Sequence, residues 1–138
     1  MALNISDMPL MAMLKERMSW LSARQNVLAQ NVANVDTPGY GAKDLKPVNF
    51  ADILNDSTAS PQFQGGMATT DPRHISLTPG KGADYTDFSS PDGEANPSGN
   101  TVSLEQEMIR VSDTQAEFQA ASNLYAKAVN MMKIAIGH

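Results

Sequence analysis

Two stretches of this 138-residue chain carry apolar side chains at alternating spacings of three and four residues. The first stretch covers residues 8 to 35, and Gln25 is a polar position within it. Its apolar members are Met11, Leu14, Met18, Leu21, Leu28, Val32 and Val35. Such a heptad stripe is typical of a helix that packs lengthwise against another helix. Because Pro9 suits the first helical turn and Ser6 or Asp7 can cap it, the helix is predicted to start near residue 8.

The second stretch covers the C-terminal third of the chain and has the same period. Its apolar members are Leu104, Met108, Val111, Phe118, Tyr125, Val129, Met132 and Ile136. Gln115 and Ser122 are polar members of this stripe. Ser103 and Gln106 form a capping-box pattern, which predicts that a second helix starts here.

An additional apolar flank lies beside the second stripe. Its members are Ala121, Leu124, Ala128, Met131 and Ile134. One partner helix cannot bury both surfaces, so the helix belongs either to the core of a compact monomer or to a contact with other subunits. The chain has 6% aromatic residues and nine Met, a composition that favours adaptable helix-packing surfaces over a rigid core. We therefore expect other subunits to bury this flank.

The middle of the chain differs, since Pro38 to Gly99 holds seven of the eight prolines and eight of the nine glycines. This density excludes long regular elements. A short helix is predicted at Val48–Leu54, and short strands at Ile75–Thr78 and Asp84–Phe88. The predicted organisation is an N-terminal axial helix in residues 1–35, a turn-rich and partly flexible middle in 36–100, and a C-terminal axial helix in 101–138, which together form one assembly domain.

Folding the terminal helices back on each other gives a mainly α fold, an antiparallel coiled-coil-like hairpin with a loop-rich middle. Placing Val35 beside Leu104 gives the further pairs Leu28–Val111, Leu21–Phe118 and Leu14–Tyr125. This register also brings Gln25 near Gln115, where a buried polar pair would fix the register. The alternative is that each glutamine faces solvent.

Residues 33–40, with the sequence Ala-Asn-Val-Asp-Thr-Pro-Gly-Tyr, end the first predicted helix with a dense stop signal. Pro38 disfavours the α conformation at Thr37, and Pro-Gly is favoured at the centre of a type II turn. Asn34 and Asp36 can hydrogen-bond the backbone where the helix ends. A turn specified at so many positions predicts a joint that holds the next segment at a defined angle.

Candidate chemistry is sparse in this sequence. The net charge of −5 is mild and the basic residues are dispersed, so no nucleic-acid partner is expected. His74 and His138 match no metal-ligand spacing, and the chain has no cysteine. Phosphate-binding loops and nucleophile motifs are missing, so we expect no catalysis, no cofactor and no small-molecule substrate. No run approaches the ~20 apolar residues of a membrane span, and the N-terminus lacks a cleavable signal pattern.

The octet resembles the Ala-Asn-x-x-Thr-Pro-Gly-Tyr signature of the flagellar rod, hook and hook-associated family. The matching positions are Ala33, Asn34, Thr37, Pro38, Gly39 and Tyr40. The resemblance extends to proximal rod proteins over Leu21–Asn34, Thr69–Ile75, Asn100–Val102 and Asn123–Gly137. The Thr69–Ile75 segment and the C-terminal ending favour this branch over the sibling rod protein FlgC, which is kept as an alternative.

This resemblance implies a structural subunit and not an enzyme, with paired terminal helices that line an axial channel. The positions expected to form the assembly seam are Leu14, Met18, Leu21, Leu28 and Val32 on the first helix and Met108, Val111, Phe118, Tyr125, Val129, Met132 and Ile136 on the second.

The resemblance also implies partners and a location. The expected partners are other copies of the chain, the rod adaptor FliE, the rod protein FlgC, the inner-membrane ring and the export gate. The implied location is the periplasmic part of the flagellar rod, reached by flagellar type III export without a cleaved signal peptide. The implied function is to transmit torque through a rigid tube. An alternative from another class is a secreted helical-hairpin adaptor or chaperone, which shares the stripes but has no need of the joint.

Overall fold

Two long helices dominate the computed structural model of the protein, which describes residues 9–49 and 85–137. The elements in chain order are helix α1 (Pro9–Ala33), strand β1 (Lys43–Leu45), strand β2 (Asp87–Ser89) and helix α2 (Leu104–Ile136). Arg17 of α1 pairs with Glu117 of α2, whereas Asn31 lies beside Glu107, so the two helices run in opposite directions. The predicted mainly α helical hairpin is confirmed.

The helices differ in length. At 1.5 Å per residue, the 25 residues of α1 extend about 38 Å and the 33 residues of α2 extend about 50 Å. Pro9 is the first described helical residue, as its fixed φ favours, and the capping residues predicted before it lie outside the described residues. Neither helix has a stretch apolar enough to cross a membrane.

The start of α2 is capped differently from the prediction. Ser103 occupies the N-cap position, but its side chain makes no capping hydrogen bond, so the predicted capping box with Gln106 is wrong. Asp92 of the preceding loop takes over part of this role, because its Oδ2 accepts a hydrogen bond from the Ser103 amide at 2.9 Å. At the other end, Gly137 has φ 90° and donates its amide to the Lys133 carbonyl at 3.2 Å.

The strands form a two-stranded antiparallel ribbon. Lys43 lies opposite Ser89, and Leu45 lies opposite Asp87. The strand predicted at Asp84–Phe88 is therefore found slightly later, at Asp87–Ser89. The strand predicted at Ile75–Thr78, most of the helix predicted at Val48–Leu54, the Thr69–Ile75 segment and His74 lie outside the described residues.

The core sits where the ribbon meets the hairpin. Trp20, Leu21, Leu45 and Ala121 form a buried cluster, and Phe118 packs against it. The Trp20 indole N–H donates to the Lys46 carbonyl at 2.8 Å, which ties the end of β1 to α1. Leu21 and Phe118, which the predicted register pairs, lie in this same cluster.

Candidate functional site

The turn after α1 has the features predicted for its Pro-Gly pair. Gly39 has φ 73°, in the left-handed region that position i+2 of a type II turn requires. The Tyr40 amide donates to the Thr37 carbonyl at 3.3 Å and closes the turn. The Asn34 side chain donates to the Gln30 carbonyl at 2.8 Å, beside the bond that the Asn34 amide makes to the same carbonyl at 3.1 Å.

A second loop, residues 91–103, packs directly against this turn. The Gly39 amide donates to the Ser98 carbonyl at 3.0 Å. Gly99 also has a positive φ, 79°, and a Cβ added there would lie 3.5 Å from the Gly39 Cα. That distance is an ordinary van der Waals contact, so the two positions favour glycine because of their positive φ and not because of crowding.

Asn100 fastens the second loop to the turn. Its side chain is almost fully buried, and its Nδ2 donates to the carbonyls of Asn34 at 3.0 Å and Thr37 at 2.7 Å. Its Oδ1 accepts the Val102 amide at 2.7 Å. The Thr101 amide adds a bond to the Tyr40 carbonyl at 3.1 Å. One neutral amide side chain thus holds the end of α1, the turn and the start of α2 together, and we call this arrangement the Asn100 clamp.

Asn31 holds the chain on the other side of the turn. It is fully buried on α1, and its Oδ1 accepts the Lys43 amide at 3.1 Å while its Nδ2 donates to the Lys43 carbonyl at 2.7 Å. Its Oδ1 also accepts the Tyr40 hydroxyl at 3.3 Å. Because Asn31 satisfies both backbone groups of one residue, it fixes where β1 leaves the turn.

A charged pair reinforces the contact between α1 and β1. Arg24 donates two hydrogen bonds to Asp44, both at 2.8 Å, with the two side chains 19% and 12% exposed. The pKa of Arg24 is raised, chiefly by its hydrogen bond to Asp44. This bidentate geometry orients β1 as well as holding it.

A second charged group lies at the start of α2. Arg110 Nη1 lies 2.7 Å from Asp92 Oδ1 and 3.1 Å from Glu107 Oε1. Burial raises the pKa of Glu107 and the neighbouring Asp92 raises it further, whereas the nearby Asn31 amide and the charge of Arg110 lower it. Glu107 therefore connects the α2 side of the joint to Asn31 on α1. The joint thus consists of four parts: the Thr37–Tyr40 turn, the 91–103 loop, Asn31 and Glu107.

Comparison with known proteins identifies the family of this chain. Residues 12–40, which cover most of α1 and the turn, match the sequence profile described as flagella basal body rod protein. The flagellar basal body rod protein FlgB of Aeromonas hydrophila is 34% identical over 72% of this chain and 71% of its own length. The chain belongs to the flagellar basal body rod protein family. FlgB of Escherichia coli K12 is 30% identical over 87% of this chain and 88% of its own. FlgB of Agrobacterium fabrum is 28% identical over 96% of each.

The rod protein is therefore a structural subunit of the flagellar basal body that assembles with itself and with other flagellar components. These relatives are named as rod proteins, and they give no support to the FlgC or adaptor alternatives. Within residues 9–49 and 85–137, no group of three or more His, Cys, Asp or Glu side chains is placed to hold a metal ion.

The signature residues of the rod protein lie at the surface of the joint. Ala33, Thr37, Pro38 and Gly39 are exposed, while Asn34 and Tyr40 are half-buried. Pro38 and Gly39 act through backbone geometry, whereas Asn34, Thr37 and Tyr40 also make side-chain hydrogen bonds. Trp20 is buried within the fold beside Arg17 and Arg24, so it is a packing residue in the subunit.

The predicted seam positions of α1 face the hairpin. Leu14, Leu21 and Leu28 are buried, and Met18 and Val32 are half-buried. The structure contains a single subunit, so a role of these positions in contacts between subunits stays a prediction.

The predicted stripe of α2 is only partly directed at α1. Val111, Phe118, Tyr125, Val129 and Met132 are half-buried, but Leu104, Met108, Gln115 and Ile136 are exposed. The exposure of Leu104 contradicts its predicted pairing with Val35, whereas a role of Met108 and Ile136 in contacts between subunits stays a prediction. The buried positions are instead Glu107, Thr114, Ala121 and Ala128, spaced seven residues apart. Small side chains at three of these positions let α1 approach closely, so the helix is rotated relative to the prediction. Gln115 is exposed, so of the two alternatives for this residue the structure supports the one in which it faces solvent, and no buried pair with Gln25 forms.

Sequence reasoning missed the side chains that fasten the joint. The apolar pattern does not indicate Asn31 or Glu107, because both are polar residues beside the stripe. Asn100 lies in the Asn100–Val102 string that carries part of the family resemblance, but nothing in that string says which atoms it binds. Its partners are the carbonyls of residues 34 and 37, more than 60 positions earlier in the chain.

Proposed function

We propose that this rod protein is a building block of the proximal rod, in which the joint holds the helical hairpin at a fixed angle to the middle segment. The Asn100 clamp carries this proposal, since it fastens the end of α1 and the start of α2 to one turn through buried hydrogen bonds. A subunit that transmits torque needs such a rigid connection between its axial and outer parts.

The exposed apolar side chains of α2 support the view that polymerisation proceeds by helix packing. Leu124, Met131 and Ile134, three members of the flank expected to meet other subunits, are about half exposed or more, whereas its other members, Ala121 and Ala128, are buried within the hairpin. The described part of the chain leaves this surface open along a helix of about 50 Å. Contacts between unlike surfaces of copies generate rings or helical tubes, the form that a drive shaft and export channel require.

The proposed partners follow the family resemblance. They are other copies of the rod protein, the rod adaptor FliE, the rod protein FlgC, the inner-membrane ring and the export gate. The proposed location is the periplasmic part of the basal body, reached through the flagellar export apparatus without cleavage of a signal peptide. The rod built there transmits torque and lets later subunits pass.

The joint is tested by changing the turn in cells that lack the native gene. The double variant Pro38→Ala/Gly39→Val places a β-branched side chain at φ 73°, where a residue with a Cβ costs about 1–2 kcal/mol. We expect loss of swimming and basal bodies that stop at the membrane ring. Gly93→Val is the matched control, because Gly93 also has open space around it but no positive φ. Normal rods with the double variant at native expression would contradict the proposal.

A further inference from the structure

Two buried carboxyl side chains contact one partly exposed guanidinium at the start of α2. The Glu107 side chain is 0% exposed and the Asp92 side chain 1% exposed, with Arg110 in contact with both. If both acids were ionised, this buried group would carry a net negative charge. Removing charges from water is unfavourable unless they are fully compensated, so this arrangement favours a proton on one acid.

The hydrogen bonds lead to the same conclusion. Asp92 Oδ1 and Glu107 Oε2 are both buried, and neither has a hydrogen-bond donor, although Asp92 Oδ1 contacts the Arg110 charge. The other Asp92 oxygen accepts the Ser103 amide. The two carboxyl groups share a single cation, because Arg110 Nη1 lies 2.7 Å from Asp92 Oδ1 and 3.1 Å from Glu107 Oε1. A proton on Glu107 supplies the missing donor and removes the repulsion between the two acids.

The surrounding groups do not supply a second positive charge in direct contact. From α1, Asn31 presents a neutral amide to Glu107, and Arg24 is bound to Asp44 in a bidentate pair. From β1, the exposed Lys43 side chain pairs with Asp87 at 3.3 Å. Arg110 is thus the one cation that contacts Glu107 among the described residues.

We propose that Glu107 is a protonated carboxylic acid in the folded rod protein and donates a hydrogen bond to Asp92. This single proton fastens the 91–103 loop to the base of α2, and through Glu107 it connects that loop to Asn31 on α1. It acts as a proton-dependent clasp on the joint. The inference rests on the proposed function, since it assigns a means of regulation to the joint proposed there.

The clasp predicts that stability decreases as pH rises. Burial raises the pKa of Glu107 above the value of an unfolded glutamate. The stabilisation is therefore complete below the unfolded pKa and is lost as pH rises through the folded pKa. Between these two values, the folding equilibrium constant is expected to fall by up to about tenfold per pH unit.

The test is urea unfolding of the full chain at a series of pH values. Glu107→Gln keeps the shape and can donate an N–H to Asp92 but cannot ionise, so its folding constant should lack the decrease and exceed that of the native chain at neutral pH. Glu105→Gln is the matched control, because Glu105 lies on the same turn but is exposed, and it should keep the native profile. Parallel pH profiles for the native chain and Glu107→Gln would overturn the proposal.

A second readout is independent of cooperative unfolding. In ¹³C NMR of the chain labelled at glutamate, one side-chain carboxyl resonance should titrate well above an ordinary glutamate and disappear in Glu107→Gln. A Glu107 resonance with an ordinary titration would also overturn the proposal. Neither measurement involves rod assembly, so a negative result in either one would overturn the clasp and leave the proposed function intact. Normal rods in the turn variant would contradict only the proposed function.

Discussion

Replacing Asn100 with alanine tests whether the clamp holds the joint. The change removes two hydrogen bonds donated to the carbonyls of Asn34 and Thr37 and one accepted from the Val102 amide. A typical intramolecular hydrogen bond contributes about 1 kcal/mol, and a buried group left without a partner costs about 1–3 kcal/mol. The carbonyls of Asn34 and Thr37 keep the bonds that they accept from backbone amides, whereas the buried Val102 amide is left without a partner. We therefore expect the free energy of unfolding to fall by about 2–3 kcal/mol.

The measurement is urea unfolding followed by circular dichroism, with Asn96→Ala as the matched control. Asn96 lies in the same loop but is exposed, so its replacement should change stability by less than about 0.5 kcal/mol. Asn100→Asp keeps the acceptor for Val102 but turns a carboxylate oxygen toward the two carbonyls, so it should destabilise at least as strongly as alanine. Equal stability of Asn100→Ala and Asn96→Ala would refute the clamp.

Two further variants test the hairpin and the ribbon by the same urea measurement. Ala128→Leu inserts bulk at a buried position facing α1 and should destabilise by about 1–3 kcal/mol, whereas Ala126→Leu on the exposed side of α2 should have little effect. Similar losses for both would count against the close helix approach. Arg24→Ala leaves the buried Asp44 carboxylate without its bidentate partner and should cost about 1–3 kcal/mol. Arg17→Ala removes an exposed ion pair with Glu117 and should cost less than about 1 kcal/mol. A larger loss of stability in Arg17→Ala than in Arg24→Ala would show that the ribbon is held by other contacts.

The helical hairpin could be predicted because its helices are long and periodic. In α1, the large apolar residues of the stripe are also the residues that face the core, so pattern and burial agree. The Pro38–Gly39 turn could be predicted for a different reason, since its geometry depends on local backbone preferences. Both features are encoded within a few residues of where they appear.

The orientation of α2 could not be predicted in the same way. The pattern selects large apolar residues such as Met108, but close helix packing places small residues such as Ala121 and Ala128 at the interface. The large residues of α2 then lie beside its contact with α1 or in solvent. The sequence alone does not distinguish a helix face that packs within the subunit from a face that is free to contact other subunits. The exposure of Met108 and the burial of Ala121 together show which face of α2 packs within the subunit.

The polar fastening of the joint was beyond sequence reasoning for another reason. Asn31, Asn100 and Glu107 act through partners that are distant in sequence, and a buried polar residue has the same identity as an exposed one. Asp92 shows the point clearly, because it caps α2 from a loop 11 residues before the N-cap. No local capping pattern contains it.

The long sequence separation within the joint also determines when it can form. The turn itself is local, but Asn100 binds carbonyls 63 and 66 positions earlier, so the clamp closes only when both terminal helices come together. Closing a loop of this length is entropically unfavourable, and the packing of α1 against α2 must offset that cost. The joint and the hairpin therefore stabilise each other as one cooperative unit. On the export route proposed above, a chain passing through a narrow channel holds these segments apart, so the rigid joint forms only after Asn100 has emerged.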